Sequence, residues 1–95
     1  MARFLVERQL RSLSERLRDL RDELRVIDEQ LTQLADEADD SRLRALVSET
    51  PLAGREHHQA QRHADAMTRR RQEVRDTIVR LEVRQDELLD QLSRG

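Results

Sequence analysis

An unbroken alternation of apolar residues three and four positions apart constrains this chain more than anything else in it. In the first half it runs Val6, Leu10, Leu13, Leu17, Leu20, Leu24, Ile27, Leu31, Leu34, Ala38, with spacings of 4, 3, 4, 3, 4, 3, 4, 3 and 4. A strict seven-residue repeat lays one narrow stripe along an α-helix and requires a partner helix, with left-handed supercoiling. Leu10, Leu17, Leu24, Leu31 and Ala38 take the a positions of the heptad, and Val6, Leu13, Leu20, Ile27 and Leu34 take d. The residues between are almost all Arg, Glu, Asp, Gln or Ser.

The second half repeats the spacing through Ala60, Ala64, Met67, Arg71, Val74, Ile78, Leu81, Gln85, Leu88 and Leu92. Two of its a positions, Arg71 and Gln85, are polar. Polar seam residues weaken a coiled coil but fix its register, so these two are read as register-setting.

Between the two seams lies one turn signal, Ser48-Glu49-Thr50-Pro51. Thr50 suits a helix N-cap, and Pro51 suits the first helical position, where a missing N–H costs nothing. The reading is a single all-α domain over residues 1–95. It is a long antiparallel two-helix coiled-coil hairpin, with helix 1 over about 3–47, a tight turn near 48–50 and helix 2 over about 51–93. Each helix would be about 60–65 Å long. A turn centred on residue 49 pairs positions whose numbers add to 98, such as Val6 with Leu92, Leu17 with Leu81 and Leu31 with Met67. It also brings the acidic run Asp36-Glu37-Asp39-Asp40 near His58, Arg62 and His63, and Asp28 and Glu29 near Arg69 and Arg70. A register slipped by one heptad, centred near Leu52, competes with it. Two helices shield each seam residue on one side only, so a homodimer forming a four-helix bundle is the other way to bury these seams.

Composition excludes other classes. Two Gly and one Pro cannot supply the turns of an α/β enzyme or a β-sandwich, and with no Cys there is neither a disulfide scaffold nor a thiolate metal site. No apolar run approaches the ~20 residues of a membrane span, and no signal peptide is visible. The expectation is a soluble, cytoplasmic protein with no membrane partner. All 18 basic residues are Arg, which suits GC-rich bacterial codon usage. They meet 20 acidic ones for a net charge of −2, against the basic excess of a general nucleic-acid binder. Arg69-Arg70-Arg71 is followed at once by Glu73 and Asp76, and no aromatic is at hand to stack on bases, so a nucleic-acid partner is not expected.

The turn is the most distinctive region. The apolar heptad breaks after Ala38, where Asp39-Asp40-Ser41-Arg42 intervenes. Leu43, Leu46, Val47 and Leu52 then form an apolar cluster off the seam, ringed by Glu49, Arg55, Glu56, His57 and His58. The cluster either caps the end of the core or docks a protein partner, since apolar groups rimmed by charge are the usual anatomy of an interface. The partner-binding candidates are Leu43, Leu46, Val47, Glu49, Leu52, Arg55, Glu56 and His58. Phe4 and Leu5 either cover the open end of the seam or make a dimer contact. His57, His58 and His63 lack the i, i+4 spacing of a helical metal pair and read as solvated or lining the turn. No cofactor or metal is expected. With no cleft, nucleophile or phosphate loop in the pattern, the chain is not expected to be an enzyme.

Two resemblances attach to the turn. The stretch Arg42-Leu43-Arg44-Ala45-Leu46-Val47-Ser48-Glu49-Thr50-Pro51-Leu52, with Arg55-Glu56-His57-His58 after it, resembles small actinobacterial coiled-coil hairpin proteins. That likeness spans nearly the full length and implies no mechanism. Over about twenty residues the turn also resembles the N-terminal coiled coil of the Gre transcript-cleavage factors. Aligning Leu52 with the Leu of their tip motif puts His58 at its Tyr, Ala60 at its Ala and Arg62 at its basic residue. The family's two metal-holding acids fall on Pro51 and Gly54, whose side chains cannot ligate. The resemblance therefore implies a hairpin that enters a channel of RNA polymerase and regulates transcription without cleavage. From the residues alone, the leading expectation is a non-catalytic interaction protein that presents its turn to a larger assembly. A self-associating structural bundle is the third reading.

Overall fold

A computed structural model describes residues 2–94. Helix α1 runs Arg3–Ser48 over 46 residues, and helix α2 runs Pro51–Arg94 over 44. No strand occurs among the described residues. The chain is a helical hairpin, as the heptad pattern predicts, and neither helix is long and apolar enough to cross a membrane.

The link is only Glu49 and Thr50, because α1 keeps its helical conformation through Ser48. Three local bonds close it. The Glu49 N–H donates to the Ala45 carbonyl at 3.2 Å, and the Ser48 hydroxyl donates to the Arg44 carbonyl at 2.7 Å. The Ala53 N–H donates to Thr50 Oγ1 at 3.2 Å, the bond of an N-cap three residues ahead of its donor. Glu49 takes the left-handed conformation (φ 51°) that ends a helix and reverses the chain, a role usually left to Gly.

The chain divides into two compact units, Met1–Leu24 with Glu73–Gly95, and Arg25–Gln72. In the first, Val6, Leu17, Leu20, Val74, Ile78 and Leu88 are buried. Leu17, Val74 and Leu88 are the largest side chains sealed from solvent. Ser14 and Gln85 meet across this seam, the Gln85 amide donating to the Ser14 hydroxyl at 3.3 Å, and Arg21 pairs with Glu82 at 3.2 Å alongside it. In the second unit the buried set is Ile27, Ala38, Ser41, Ala53 and Ala64, and the Arg71 guanidinium is paired with the Asp28 carboxylate. Small side chains let the helices approach closely there and bury less apolar area per layer.

The residue numbers of Ser14 and Gln85 and of Asp28 and Arg71 add to 99, and those of Ser41 and His57 add to 98. Each unit therefore carries cross-helix contacts at the level set by a turn centred on residue 49. Arg71 and Gln85, the polar a residues, are among the side chains that make them.

The heptad does not stop at Ala38. It continues through Ser41, 3 % exposed, and half-buried Ala45, and enters α2 through Ala53 and His57. Ser41 can sit inside because its hydroxyl donates to the Ala38 carbonyl at 2.9 Å. His57 is not a solvated histidine. It lies half-buried on the seam with Nδ1 3.4 Å from Ser41 Oγ. With the serine proton given to Ala38, that contact is a hydrogen bond when His57 carries its proton on Nδ1.

Two stability predictions follow from these placements. Glu49→Gly relieves the left-handed strain and should stabilise the fold by about 0.5–1 kcal/mol, read from the urea midpoint. Leu17→Ala empties the most completely buried leucine site and should cost about 2–5 kcal/mol in the same measurement.

Candidate functional site at the turn

The apolar residues around the turn lie largely outside the core. Leu43, Leu46, Val47 and Leu52 are 54, 65, 85 and 58 % exposed. Their heptad positions explain it. Ala45 and Ala53 occupy the last seam levels before the link, so residues 43, 46, 47 and 52 fall on the outer faces of α1 and α2. A cap would need the chain to fold back over the end of the seam, and a two-residue link has no length for that.

Leu43, Val47 and Leu52 line an open groove of about 450 Å³, together with Arg44, Ser48, Thr50, Ala53 and Glu56. Its floor is aliphatic, and Arg44 and Glu56 stand at its rim with opposite charges. Of the eight candidates, the groove gathers Leu43, Val47, Leu52 and Glu56. Leu46, Glu49, Arg55 and His58 are exposed near the turn but do not line it. Arg44, Ser48, Thr50 and Ala53 line it without having been singled out from sequence. Arg44 and Ser48 each follow one of Leu43 and Val47 and lie four residues apart on one helix face, which was the available signal for these two.

The charges near the turn do not neutralise one another as the acidic run suggests. Asp28 pairs with Arg71, whereas Asp36, Glu37, Asp39 and Asp40 form no ion pair with His58, Arg62 or His63 among the described residues. Asp36 and Arg62 lie at f positions of their heptads, on the edges of the hairpin farthest from the facing helix. Equal level along the seam does not bring them together.

A second apolar spot lies at the other end of the helices. Phe4 and Leu5 are 68 and 44 % exposed, so they cover no seam residue completely, and Val79, Val83 and Leu89 are exposed in the same unit. His57 and His58 have ring centroids 6.0 Å apart but face different sides of α2, and no grouping of three or more His, Asp or Glu side chains fit to hold a metal ion occurs among the described residues. Pro51 and Gly54, at the positions of the metal-holding acids in the Gre resemblance, sit in the first turn of α2. No known protein family, no curated protein and no solved structure matches the chain.

The polar seam positions give a prediction of their own. Gln85→Leu fills the seam with an apolar side chain and should raise stability by about 1 kcal/mol in thermal melting. The same change removes the bond to Ser14.

Proposed function

We propose that this chain is a non-catalytic interaction protein whose hairpin presents its turn to a partner protein in a larger cytoplasmic assembly. The observation that carries the reading is the apolar groove of Leu43, Val47 and Leu52, left open to solvent beside a rigid two-residue link. Large aliphatic side chains gathered on an outer face lose water-exposed area only when something covers them. Two helices joined by a short link that is closed by local hydrogen bonds hold them in place beforehand, so less ordering remains to oppose binding. Arg44 and Glu56 at the rim supply orientation.

Two other readings rest on particular features. RNA polymerase is the partner suggested by the Gre resemblance, and a solvent-exposed turn on an antiparallel hairpin is what a channel-entering regulator without cleavage would need. Self-association is favoured by Phe4 and Leu5 with Val79, Val83 and Leu89.

One variant separates these readings. Leu52→Asp places a charge in the groove at a half-exposed site, and its effect on folding should stay within about 0.5 kcal/mol. Photo-crosslinking in the native cell from position 52 should trap a single protein partner that crosslinking from position 26 does not. Purified Leu52→Asp should bind that partner at least tenfold more weakly, with its circular dichroism unchanged. Loss of helicity in Leu52→Asp would instead make the residue part of the core. Binding to purified RNA polymerase that is lost in Leu52→Asp would select the transcription reading.

A further inference from the structure

Charge in the Arg25–Gln72 unit is sorted by helix. Residues 25–48 carry six carboxylates and three arginines, a formal −3, and residues 51–72 carry five arginines and two carboxylates, a formal +3 with the histidines neutral. The sorting is sharpest on the outer edges. On α2, Arg55, Arg62 and Arg69 follow one another at seven-residue intervals, all exposed and none in an ion pair among the described residues. On α1, Glu29 and Asp36 recur at the same interval, with Asp39 and Asp40 beside them, again exposed and unpaired.

Two features of the geometry matter. First, the rows cannot satisfy each other within one chain. They lie on opposite edges, about two helix diameters or ~20 Å apart, beyond the ~10 Å over which charges interact at moderate salt. Second, they are level. The contacts of Asp28 with Arg71 and of Ser41 with His57 place Asp36 opposite Arg62 and Glu29 opposite Arg69. Both rows have a repeat of about 10.5 Å. Asp65, the carboxylate nearest the middle of the basic row, accepts a bond from Gln61 at 3.1 Å.

We infer that the basic edge of α2 docks on the acidic edge of α1 of a second copy of this chain, the two hairpins lying side by side and pointing the same way. In that arrangement α2 of one copy is antiparallel to α1 of the next, and no axial shift is needed. Arg62 meets Asp36, Arg69 meets Glu29, and the stem of Arg55 lies against Leu43. The opposite orientation makes the same number of pairs, Arg62 with Asp36 and Arg55 with Glu29, but within this unit it also brings Asp65 level with Asp39, like charges that the chosen orientation keeps apart by setting Asp65 level with Gln33. A foreign polyanion would use the basic row and leave the matching acidic row idle; a second copy uses both. The interface is heterologous, so each added copy offers a fresh edge. It aligns the turns of successive copies along one side. Exposed ion pairs are individually weak and screened by salt, so association should be concentration-dependent and reversible.

Sedimentation velocity on the full chain tests this at about 20 mM and about 500 mM salt, over roughly 10–500 µM protein, a range in which ionic screening changes severalfold. At low salt the weight-average mass should rise above 11.3 kDa as concentration increases, and at high salt it should return to that value. The paired variants Arg62→Glu with Arg69→Glu, and Glu29→Arg with Asp36→Arg, should each remain single at low salt. Mixed in equal amounts they should associate, since each then offers the edge the other lacks. Circular dichroism checks their folding. Should either fail to fold, the neutral changes Arg62→Gln and Asp36→Asn should each lower association at least threefold. Wild type that stays at one chain's mass at low salt overturns the inference. So does association that persists in both charge reversals, which would assign it to apolar residues such as Phe4 and Leu5. Wild type that stays single but binds a twenty-nucleotide DNA through Arg62 and Arg69 would make the row a polyanion site and overturn it equally.

Discussion

Everything in this molecule depends on a contact strip one heptad stripe wide. Two helices meet along it with no third element behind either, so each seam side chain is covered from the facing helix alone. Such a strip tolerates little variation. Where it carries Leu and Val it excludes water, and at Leu17, Val74 and Leu88 it does so almost completely. Where a polar residue enters, it must bring its own partner. Gln85 reaches Ser14, Arg71 reaches Asp28, and Ser41 bonds the carbonyl three residues behind it. Only Ser41 among them is buried, and there a hydroxyl without its partner would cost more than its hydrogen bond returns; half-buried Gln85 and Arg71 favour the one register in which their partners lie within reach.

The same narrowness leaves most side chains outside. In a globular domain an exposed leucine is unremarkable among many. Here Leu43, Val47 and Leu52 converge on one groove, beside a link too short to fold over them. The outer faces carry most of the charge, and in the Arg25–Gln72 unit it is distributed unevenly between the two helices. A hairpin has two edges that cannot touch each other. Complementary charge placed on them is therefore directed outward by the fold itself.

The hairpin was legible in the residues because two independent signals agree: a long 3-4 apolar repeat and one Thr-Pro helix start between its halves. Register was legible too, through the polar a positions and the short link. The end of the seam was not. Ser41 and His57 carry the heptad forward with polar side chains, and a pattern scored on hydrophobicity passes over them. Glu49 in the left-handed conformation is likewise silent, since Gly is the residue that ordinarily marks such a turn. The groove was legible only in part. Leu43, Val47 and Leu52 stood out as apolar residues off the seam, but which of their neighbours join them depends on where α1 stops, and one residue more of helix changes the faces that meet.

The unequal cores of the two units bear on how the chain comes to fold. The link brings its flanking residues together at almost no cost in loop entropy, so the first encounters fall among Ala45, Ala53, Ala60 and Ala64. Those encounters bury little and cannot hold a nascent hairpin closed. The first larger side chains that can hold it are Leu34, Leu31 and Met67, with buried Ile27 just beyond them. Zippering outward from the turn must therefore run uphill through several small-residue layers before it reaches a layer that retains it. The rate-limiting ensemble is then a hairpin already closed through those small-residue levels. Its formation is more cooperative, and slower, than the local contacts of two helices joined by a two-residue link would suggest.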